Sequence, residues 1–392
     1  MQWPKWTSIL AVVGFLLAVL ASPAHAKVRI VTPTTRPAAP SGIPNASPHV
    51  LKLTSVAQAS FSPDGQVLMT LSDQDHQIHF WNARTGEEVN RFGVAVRFAV
   101  FSESGNRVMT WGDDKLIRIF DARTGKALRR IEGAGDALAA ATISKDGTRV
   151  LTCATGQTTL KLWDATTGQP IAELPGPDGS VKILAFSPDA TRVLSVAAPL
   201  PGVAGKLSLS FWDLQERKTL HKVELSSPPT VATFSSSGKL ALVQVYNATK
   251  FYDVATGKEA SSPAPNETFP TSQTTPDGQL NVSKALGSAN LTNALTGEII
   301  RPLEAPIDGL PTCHAFSADG ARLVLGTGKA GFFARNPDLP GSVYVYDVKS
   351  GKRLATFTGH GHQVTQVGLA PDGQGAFSRD SDKTLFLWTV SK

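Results

Sequence analysis

The chain has 392 residues, including 34 Gly and 26 Pro, and a formal net charge of +6 from 38 basic and 32 acidic residues. This length allows a large core, and the many turn-forming residues favour short strands over helices. Charges of both signs are interspersed, so the sequence indicates no basic face for nucleic acid.

Residues 1–26 have the features of a targeting segment. Lys5 supplies a positive flank, and the apolar run at 8–21 (SILAVVGFLLAVLA) is too short for a comfortable membrane span. The Ala-His-Ala sequence at 24–26 supplies the small residues of a cleavage site. We therefore predict a signal peptide, a mature chain that begins at Lys27 and a periplasmic or secreted body. The alternative is an uncleaved N-terminal membrane anchor, again with the body outside the cytoplasm.

Residues 27–48 are rich in Pro, Ser and Thr and show no hydrophobic periodicity. This composition predicts an extended, flexible linker, because such a segment cannot bury a core of its own. The chain from residue 49 to residue 392 is different, because it repeats.

The clearest repeated feature from residue 49 onward is a short turn, usually preceded by an apolar residue. Its last positions are spaced by 40 to 53 residues along the chain. The eight copies are FSPDG at 61–65, FSESG at 101–105, ISKDG at 143–147, FSPDA at 186–190, FSSSG at 234–238, TTPDG at 274–278, FSADG at 316–320 and LAPDG at 369–373.

A second repeated feature lies between these turns. Most repeats carry an alternating strand that ends in an aromatic residue and an acid, as in LKLWD and LSFWD, followed by a Thr-Gly or Ser-Gly turn such as ARTG. Each unit therefore reads as strand, Asp-Gly turn, strand, variable loop, strand, Thr-Gly turn and strand.

The last repeat, residues 358–389, is the most regular. It contains a Gly-His pair, a Pro-Asp-Gly turn and a strand that ends in Trp-Thr. It resembles a blade of the WD-repeat β-propeller family, and the resemblance extends more weakly over residues 49–392. In that family a Gly-His histidine, a Ser or Thr, an Asp six residues before the Trp, and the Trp form a structural tetrad. The resemblance assigns these roles to His360, Ser378, Asp382 and Trp388.

The resemblance implies an all-β fold, an eight-bladed WD-type propeller. The sixth repeat lacks the aromatic residue, but both of its turns are in register, and 344 residues divided by eight leave 43 for each blade. The alternative is a seven-bladed ring with residues 265–305 as an insertion. The last repeat lacks an outer strand, so we predict that residues 50–53 (VLKL) supply it and close the ring.

Two loops between the second and third strands are expanded, at residues 197–206 and 328–341. The resemblance places both at the mouth of the central channel. Phe332 and Phe333 beside Arg335 have the composition of an interface anchor. The alternative is that the two Phe side chains fold back and cap the core of the blade.

Trp111 and Arg379 occupy equivalent places in the second and eighth repeats, directly after the tetrad-position Thr or Ser. Trp and Arg are frequent in the energetic centres of protein interfaces. We therefore include both residues in the predicted docking surface.

The two cysteines, Cys153 and Cys313, lie in the third and seventh repeats. We expect two free, buried side chains, because repeats on opposite sides of a ring do not approach within the roughly 7 Å that a disulfide requires. The closely spaced histidines lack a Cys or carboxylate cluster, so no metal site is predicted.

Catalysis also has no support, since the chain contains neither a nucleophile elbow nor a phosphate-binding Gly loop. We predict a non-enzymatic, cofactor-free, monomeric scaffold that docks a protein or peptide at the channel mouth and binds no nucleic acid. No membrane insertion is expected once the signal is cleaved. The alternative is lectin-like or small-ligand binding in the central channel.

Overall fold

A computed structural model describes residues 50–390, apart from residues 94, 136, 178, 201–204, 246–247, 264–265, 286, 305–306, 308 and 329–339. The predictions of a signal peptide and a linker therefore concern residues outside the described part of the chain. Within the described ranges, no helix has the length and apolar character needed to cross a membrane.

The described residues form eight separate antiparallel sheets, seven with four strands and one with three. Strands that are consecutive in the chain are neighbours in each sheet, as in the blades of a β-propeller. The first blade contains β2 (Val56–Phe61), β3 (Val67–Ser72), β4 (Ile78–Asn82) and β5 (Glu88–Phe92), and follows β1 (Leu51–Leu53). The other strands are β6 (Val96–Phe101), β7 (Arg107–Gly112), β8 (Ile117–Asp121), β9 (Ala127–Ile131), β10 (Leu138–Ile143), β11 (Arg149–Ala154), β12 (Thr159–Asp164), β13 (Pro170–Pro175), β14 (Ser180–Phe186), β15 (Arg192–Ala198), β16 (Ser208–Asp213), β17 (Lys218–Glu224), β18 (Val231–Phe234), β19 (Leu240–Val245), β20 (Ala248–Asp253), β21 (Glu259–Ala260), β22 (Leu280–Ala285), β23 (Ser288–Asn293), β24 (Ile299–Pro302), β25 (Leu310–Phe316), β26 (Arg322–Gly328), β27 (Val343–Asp347), β28 (Arg353–Phe357), β29 (Val364–Leu369), β30 (Gly375–Asp380) and β31 (Leu385–Thr389).

The first strands of the blades lie nearest the central axis. Strand β10 contacts β14 and β25 contacts β29, so the first strands of successive blades are neighbours around the ring. The second and third strands are almost entirely buried, whereas outer strands such as β5 and β24 are largely exposed. The core therefore consists of layers of apolar side chains between neighbouring blades.

In the four-stranded blades the first two strands are joined by the predicted five-residue turn motif. In the fourth repeat the Ser187 hydroxyl donates to Asp189 Oδ1 at 2.6 Å, and the Thr191 amide donates to the same oxygen at 3.0 Å. Burial raises the pKa of Asp189, but these hydrogen bonds outweigh that effect and hold the pKa below its usual value. The Ser and Asp of this motif therefore have structural roles.

The ring closes as predicted. Strand β1 pairs antiparallel with β31, and Leu51 and Leu53 lie opposite Leu387 and Leu385. The eighth blade has the strand order β1-β31-β30-β29, so the N-terminal strand is its outermost member. This arrangement covers the edge that β31 would otherwise expose.

The sixth repeat is a true blade, because β22, β23 and β24 form a sheet of their own. The structure thus confirms eight blades instead of seven. The four-strand prediction is wrong for this blade, because its described residues form three strands and none of them is a first strand. Its place near the seventh blade is taken by a non-strand segment whose Ser272 carbonyl accepts from the Phe316 amide at 2.8 Å. Pro270 lies in this segment and cannot donate to a strand ladder.

Candidate functional site

The two faces of the ring differ in the connections that they carry. In an antiparallel blade, the turn between the first and second strands and the turn between the third and fourth strands lie at the same end. We call this end the turn face. The connection between the second and third strands and the connection to the next blade lie at the other end, which we call the loop face.

The polar groups of the turn face are largely bonded within the protein. Arg149 of the third blade donates from Nη1 to the Ala190 carbonyl, in the turn of the fourth blade, at 2.8 Å. Arg322 of the seventh blade donates in the same way to the Gly373 carbonyl of the eighth blade at 2.7 Å. These arginines join neighbouring blades, so the turn face serves the assembly of the ring.

Ion pairs cross between elements on the loop face. The Lys383 ammonium of the eighth blade contacts the Asp73 carboxylate of the first blade, across the point where the ring closes. In the second blade, Arg97 Nε lies 2.6 Å from Asp113 Oδ1. The loop face therefore presents charges of both signs, and the carboxylates of Asp73 and Asp113 are paired with cations.

The structural tetrad of the eighth blade differs from the predicted one in two respects: a different acid contacts His360, and the Trp388 indole Nε1 has no hydrogen-bond partner in the described part of the chain. The His360 ring lies 2.7 Å from Ser378 Oγ through Nε2 and 3.0 Å from Asp380 Oδ2 through Nδ1. The predicted acid, Asp382, is exposed and does not contact His360. Asp380 is the partner, and its side chain is 1% exposed. Trp388 is completely buried beside this pair.

The acids equivalent to Asp382 in other blades have partners that Asp382 lacks. In the first two blades the acids equivalent to Asp382 are Asp75, which lies 3.0 Å from His79 Nε2, and Asp114, which pairs with Arg118. The residue four positions after Asp382 is Phe386, whose ring offers no comparable hydrogen-bond donor. Burial raises the pKa of Asp380, but the bond with His360 and the Thr384 amide hold the pKa below its usual value.

The structure describes two of the five predicted docking residues, Trp111 and Arg379. Trp111 is 8% exposed and packs with Ile117, Leu138 and Trp163 in the core between the second and third blades. The prediction that Trp111 anchors a partner is therefore wrong, because its ring faces the next blade. Phe332, Phe333 and Arg335 lie outside the described residues, and their predicted roles stay predictions.

Arg379 and Trp111 share one position, the fifth residue of the second strand in each blade. This side chain faces the next blade. In the first four blades the position is apolar and buried, whereas in the last four it carries polar residues or Gly. The eight residues in blade order are Leu71, Trp111, Cys153, Val196, Gln244, Lys284, Gly326 and Arg379.

Lys284 of the sixth blade is a residue that the sequence analysis missed. Its ammonium donates to the Thr312 carbonyl on the first strand of the seventh blade at 3.3 Å. Desolvation lowers the pKa of Lys284 from its usual value. The signal was available in the sequence, because Lys284 follows Gly278 by six residues, as Arg379 follows Gly373.

Arg379 of the eighth blade is partly exposed, but its Nε is buried and has no hydrogen-bond partner in the described part of the chain. Desolvation lowers the pKa of its guanidinium, and the negative charges of Asp73 and Asp380 oppose this effect. Its side chain therefore lies in the wall of the ring, near the junction of the first, seventh and eighth blades.

Strand β25, the first strand of the seventh blade, carries Cys313 and His314. The Cys313 thiol interacts electrostatically with both Lys284 and Arg379. Desolvation nevertheless raises the pKa of the Cys313 thiol to about 11, so the thiol is uncharged at neutral pH. On the other side of the strand, desolvation and the charge of Lys284 lower the pKa of His314 to about 3, so this ring is also neutral. Lys284 on the sixth blade and Arg379 on the eighth blade are thus two cations that both interact with the Cys313 thiol, and we call these three residues the cationic wall.

The wall is not a metal centre by its donor set. Among the described residues, no group of three or more His, Cys, Asp or Glu is placed to hold a metal ion. Cys153 and Cys313 are free thiols, the first buried and the second partly exposed. The arrangement of two desolvated cations and a neutral strand suits an anionic group.

The eight four- and three-stranded blades define the class of the protein, a β-propeller. Residues 46–82 and 351–389 match the family model of the WD domain, G-beta repeat, and these matches together with the eight blades support a WD-repeat propeller. These two matches cover the first and last repeats, which meet where the ring closes. A search of curated proteins returned no match to this chain. Propellers of this family are generally scaffolds for protein interaction.

Proposed function

We propose that this protein is an exported, non-enzymatic scaffold that docks a protein or peptide on the loop face of its propeller. The observation that supports this proposal is the contrast between the two faces. The turn face uses its Ser, Asp and Arg side chains to hold turns and neighbouring blades together. The loop face carries the connections whose length and charge differ from blade to blade, and binding residues are commonly placed on such loops of a rigid scaffold.

The proposal can be tested with two exposed residues on each face. A loop-face variant combines Lys115→Ala with Asp382→Ala, and a matched turn-face variant combines Arg123→Ala with Glu87→Ala. Each variant removes one cation and one anion, so the net charge is unchanged. Circular dichroism first establishes that both variants fold like the parent.

The parent and both variants are then used to capture exported and envelope proteins, and captured proteins are mapped by cross-linking and mass spectrometry. We expect cross-links at the loop face and a partner that the turn-face variant retains and the loop-face variant binds more weakly. A partner that is lost only from the turn-face variant would contradict the proposal.

The alternative function, small-ligand binding in the central channel, also has an observation in its favour. Lys284 and Arg379 are cations at a position where the first four blades carry apolar core residues. A lectin-like site is less well supported, because it requires exposed aromatic rings and Trp111 is buried. An anionic small molecule is the ligand class that this wall favours.

A further inference from the structure

The sixth blade carries an exposed apolar patch at its outer strand, β24. Ile299 and Ile300 of this strand are 62% and 53% exposed, and Leu295 in the preceding turn is 36% exposed. Single exposed apolar residues are common on protein surfaces and need no partner, but adjacent ones can mark an interaction site. The other exposed large apolar residues of the described chain lie singly in three other blades, at Val89, Ile171 and Leu310.

The turn that precedes β24 is also uncovered. In most other blades the turn between the third and fourth strands packs against the outer strand of the preceding blade. A Cβ added at Gly125 of the second blade, for example, would lie 2.5 Å from Phe92 of β5. The equivalent glycine of the sixth blade is Gly297, whose added Cβ would meet no described residue within 4 Å. The outer strand of the fifth blade, β21, has only two residues and leaves this turn open to a partner.

The charged residues beside the patch lack a charged cross-strand partner in their own blade. In the third blade, by contrast, Glu173 of the outer strand lies 3.5 Å from Lys161 of the third strand. The third strand of the sixth blade, β23, has the sequence SANLTN and contains no charged residue. Glu298 and Arg301, which flank the two Ile residues, are both exposed. A partner can therefore reach both charges.

This segment is complementary to itself. Residues 298–301 read Glu-Ile-Ile-Arg. If two copies run antiparallel about a two-fold axis between Ile299 and Ile300, each Glu298 lies opposite Arg301 of the other copy. Each Ile299 then lies opposite Ile300 of the other copy. Opposite charges and β-branched side chains placed directly across two strands both stabilise antiparallel pairing. A second copy of the chain thus matches the apolar and the charged residues together.

We propose that β24 is a self-association surface, at which two copies of the protein join their sixth blades by this antiparallel pairing. As the outermost strand of its sheet, β24 has one backbone edge without a neighbouring strand among the described residues. Pro302 lacks an N–H group and confines the new ladder to the residues before it. The interface is small, so the dimer is weak and depends on protein concentration.

The proposed dimer differs from the monomer that the sequence analysis predicts. It would present two loop faces at once, so a partner with two binding sites could bind both copies. The inference does not rest on the proposed function, because pairing through β24 does not involve the loop face.

Sedimentation velocity of the purified protein at increasing concentrations measures the self-association. The variant Ile299→Thr/Ile300→Thr removes the apolar pair but keeps the β-branched shape of both residues. The matched control, Val89→Thr/Ile171→Thr, removes exposed apolar residues from the outer strands of the first and third blades. Circular dichroism first establishes that both variants fold like the parent. We expect the parent and the control to dimerise alike, and the β24 variant to associate about tenfold more weakly or less, because it buries less apolar surface.

The charged pairs test the register of the two strands. Glu298→Arg and Arg301→Glu each place like charges opposite each other in a dimer of identical copies. Each variant alone should therefore associate about tenfold more weakly than the parent. In an equal mixture of the two variants, a mixed dimer has opposite charges at both pairs. We expect this mixture to recover the dimer.

Three results would overturn the inference. They are a parent that stays monomeric at every concentration, a dimer that persists in the Ile299→Thr/Ile300→Thr variant, and a mixture of charge variants that associates no better than either variant alone. The loop-face variant that tests protein docking leaves β24 intact. Failure of one experiment therefore does not imply failure of the other.

Discussion

Closure of the ring by its N-terminal strand can be tested with two substitutions in β1. Leu51 and Leu53 are 8% and 7% exposed and pack with Trp81 and Phe377 at the junction of the first and eighth blades. The variant Leu51→Ala/Leu53→Ala removes both side chains but leaves the backbone pairing with β31 possible. We expect this variant to open the ring at its closing strand.

The expected loss of stability follows from the burial of the two Leu side chains. A buried Leu→Ala substitution costs ~2–5 kcal/mol through lost burial and the cavity that remains. We expect a cost at the low end of this range, about 2–3 kcal/mol for each Leu, because β1 has only three residues and lies at the edge of its sheet. Such a site can relax and partly fill the cavity. The total is a large share of the ~5–15 kcal/mol that stabilises a typical domain.

The assay combines urea unfolding, followed by far-UV circular dichroism, with hydrogen exchange of the β31 amides. We expect a lower urea midpoint and a selective loss of protection in β31. Lys52→Ala is the control on the same strand. The ammonium of Lys52 lies 5.3 Å from the centroid of the Phe386 ring at a partly exposed site. Loss of this cation–π interaction should cost only about 0.5–1 kcal/mol. An unchanged midpoint and unchanged β31 protection in the double variant would refute ring closure by β1.

Three further predictions concern the turn face, the blade contacts and acid stability. Arg149→Met removes the hydrogen bond to the Ala190 carbonyl. Chemical denaturation should show that the free energy of unfolding falls by about 1–2 kcal/mol. An unchanged midpoint would count against a role of Arg149 in joining the blades. Gly326→Ala should cost about 1–3 kcal/mol of stability by overpacking. The added Cβ would lie 2.6 Å from Val364 of the eighth blade and 2.7 Å from Cys313 of the seventh. Gly361→Ala should be near neutral, because nothing lies within 4 Å of its added Cβ. The pKa of Asp189 is lower in the folded state than in the unfolded chain. The stability that Asp189 contributes is therefore complete above an unfolded pKa of about 3.9, and it is lost as the pH falls through the folded pKa. Asp189→Asn should therefore flatten the fall of the urea midpoint below about pH 4, and an unchanged slope would contradict this assignment.

Much of the fold follows from the amino-acid order, because it depends on local chemistry that repeats. The Ser and Asp of each turn bond to groups two to five residues away, as Ser187 and Asp189 do with Thr191 and Arg192. Such contacts are within reach of a short sequence window, and so is the alternation of apolar residues in each strand. The blade count and the closing role of β1 follow from counting these units.

The candidate site was only partly predictable. The equivalence of Trp111 and Arg379 is visible in the sequence, but their surroundings are not, because each side chain faces a strand of a different blade. The Trp111 ring is buried against the third blade, whereas the Arg379 guanidinium lies near Cys313 of the seventh blade and Asp73 of the first. The same residue position is therefore an apolar core residue in one blade and a partly exposed cation in another.

Three features depend on contacts between residues that are distant in sequence. Asp380, and not Asp382, contacts His360 across 20 residues of chain. In the sixth blade a Pro-containing segment takes the place of a first strand and bonds to the seventh blade. The cations of the cationic wall come from blades that are almost a hundred residues apart in the chain, at 284 and 379. Local turns and strands depend on neighbours in sequence, whereas burial, charge pairing and the binding surface depend on neighbours in space.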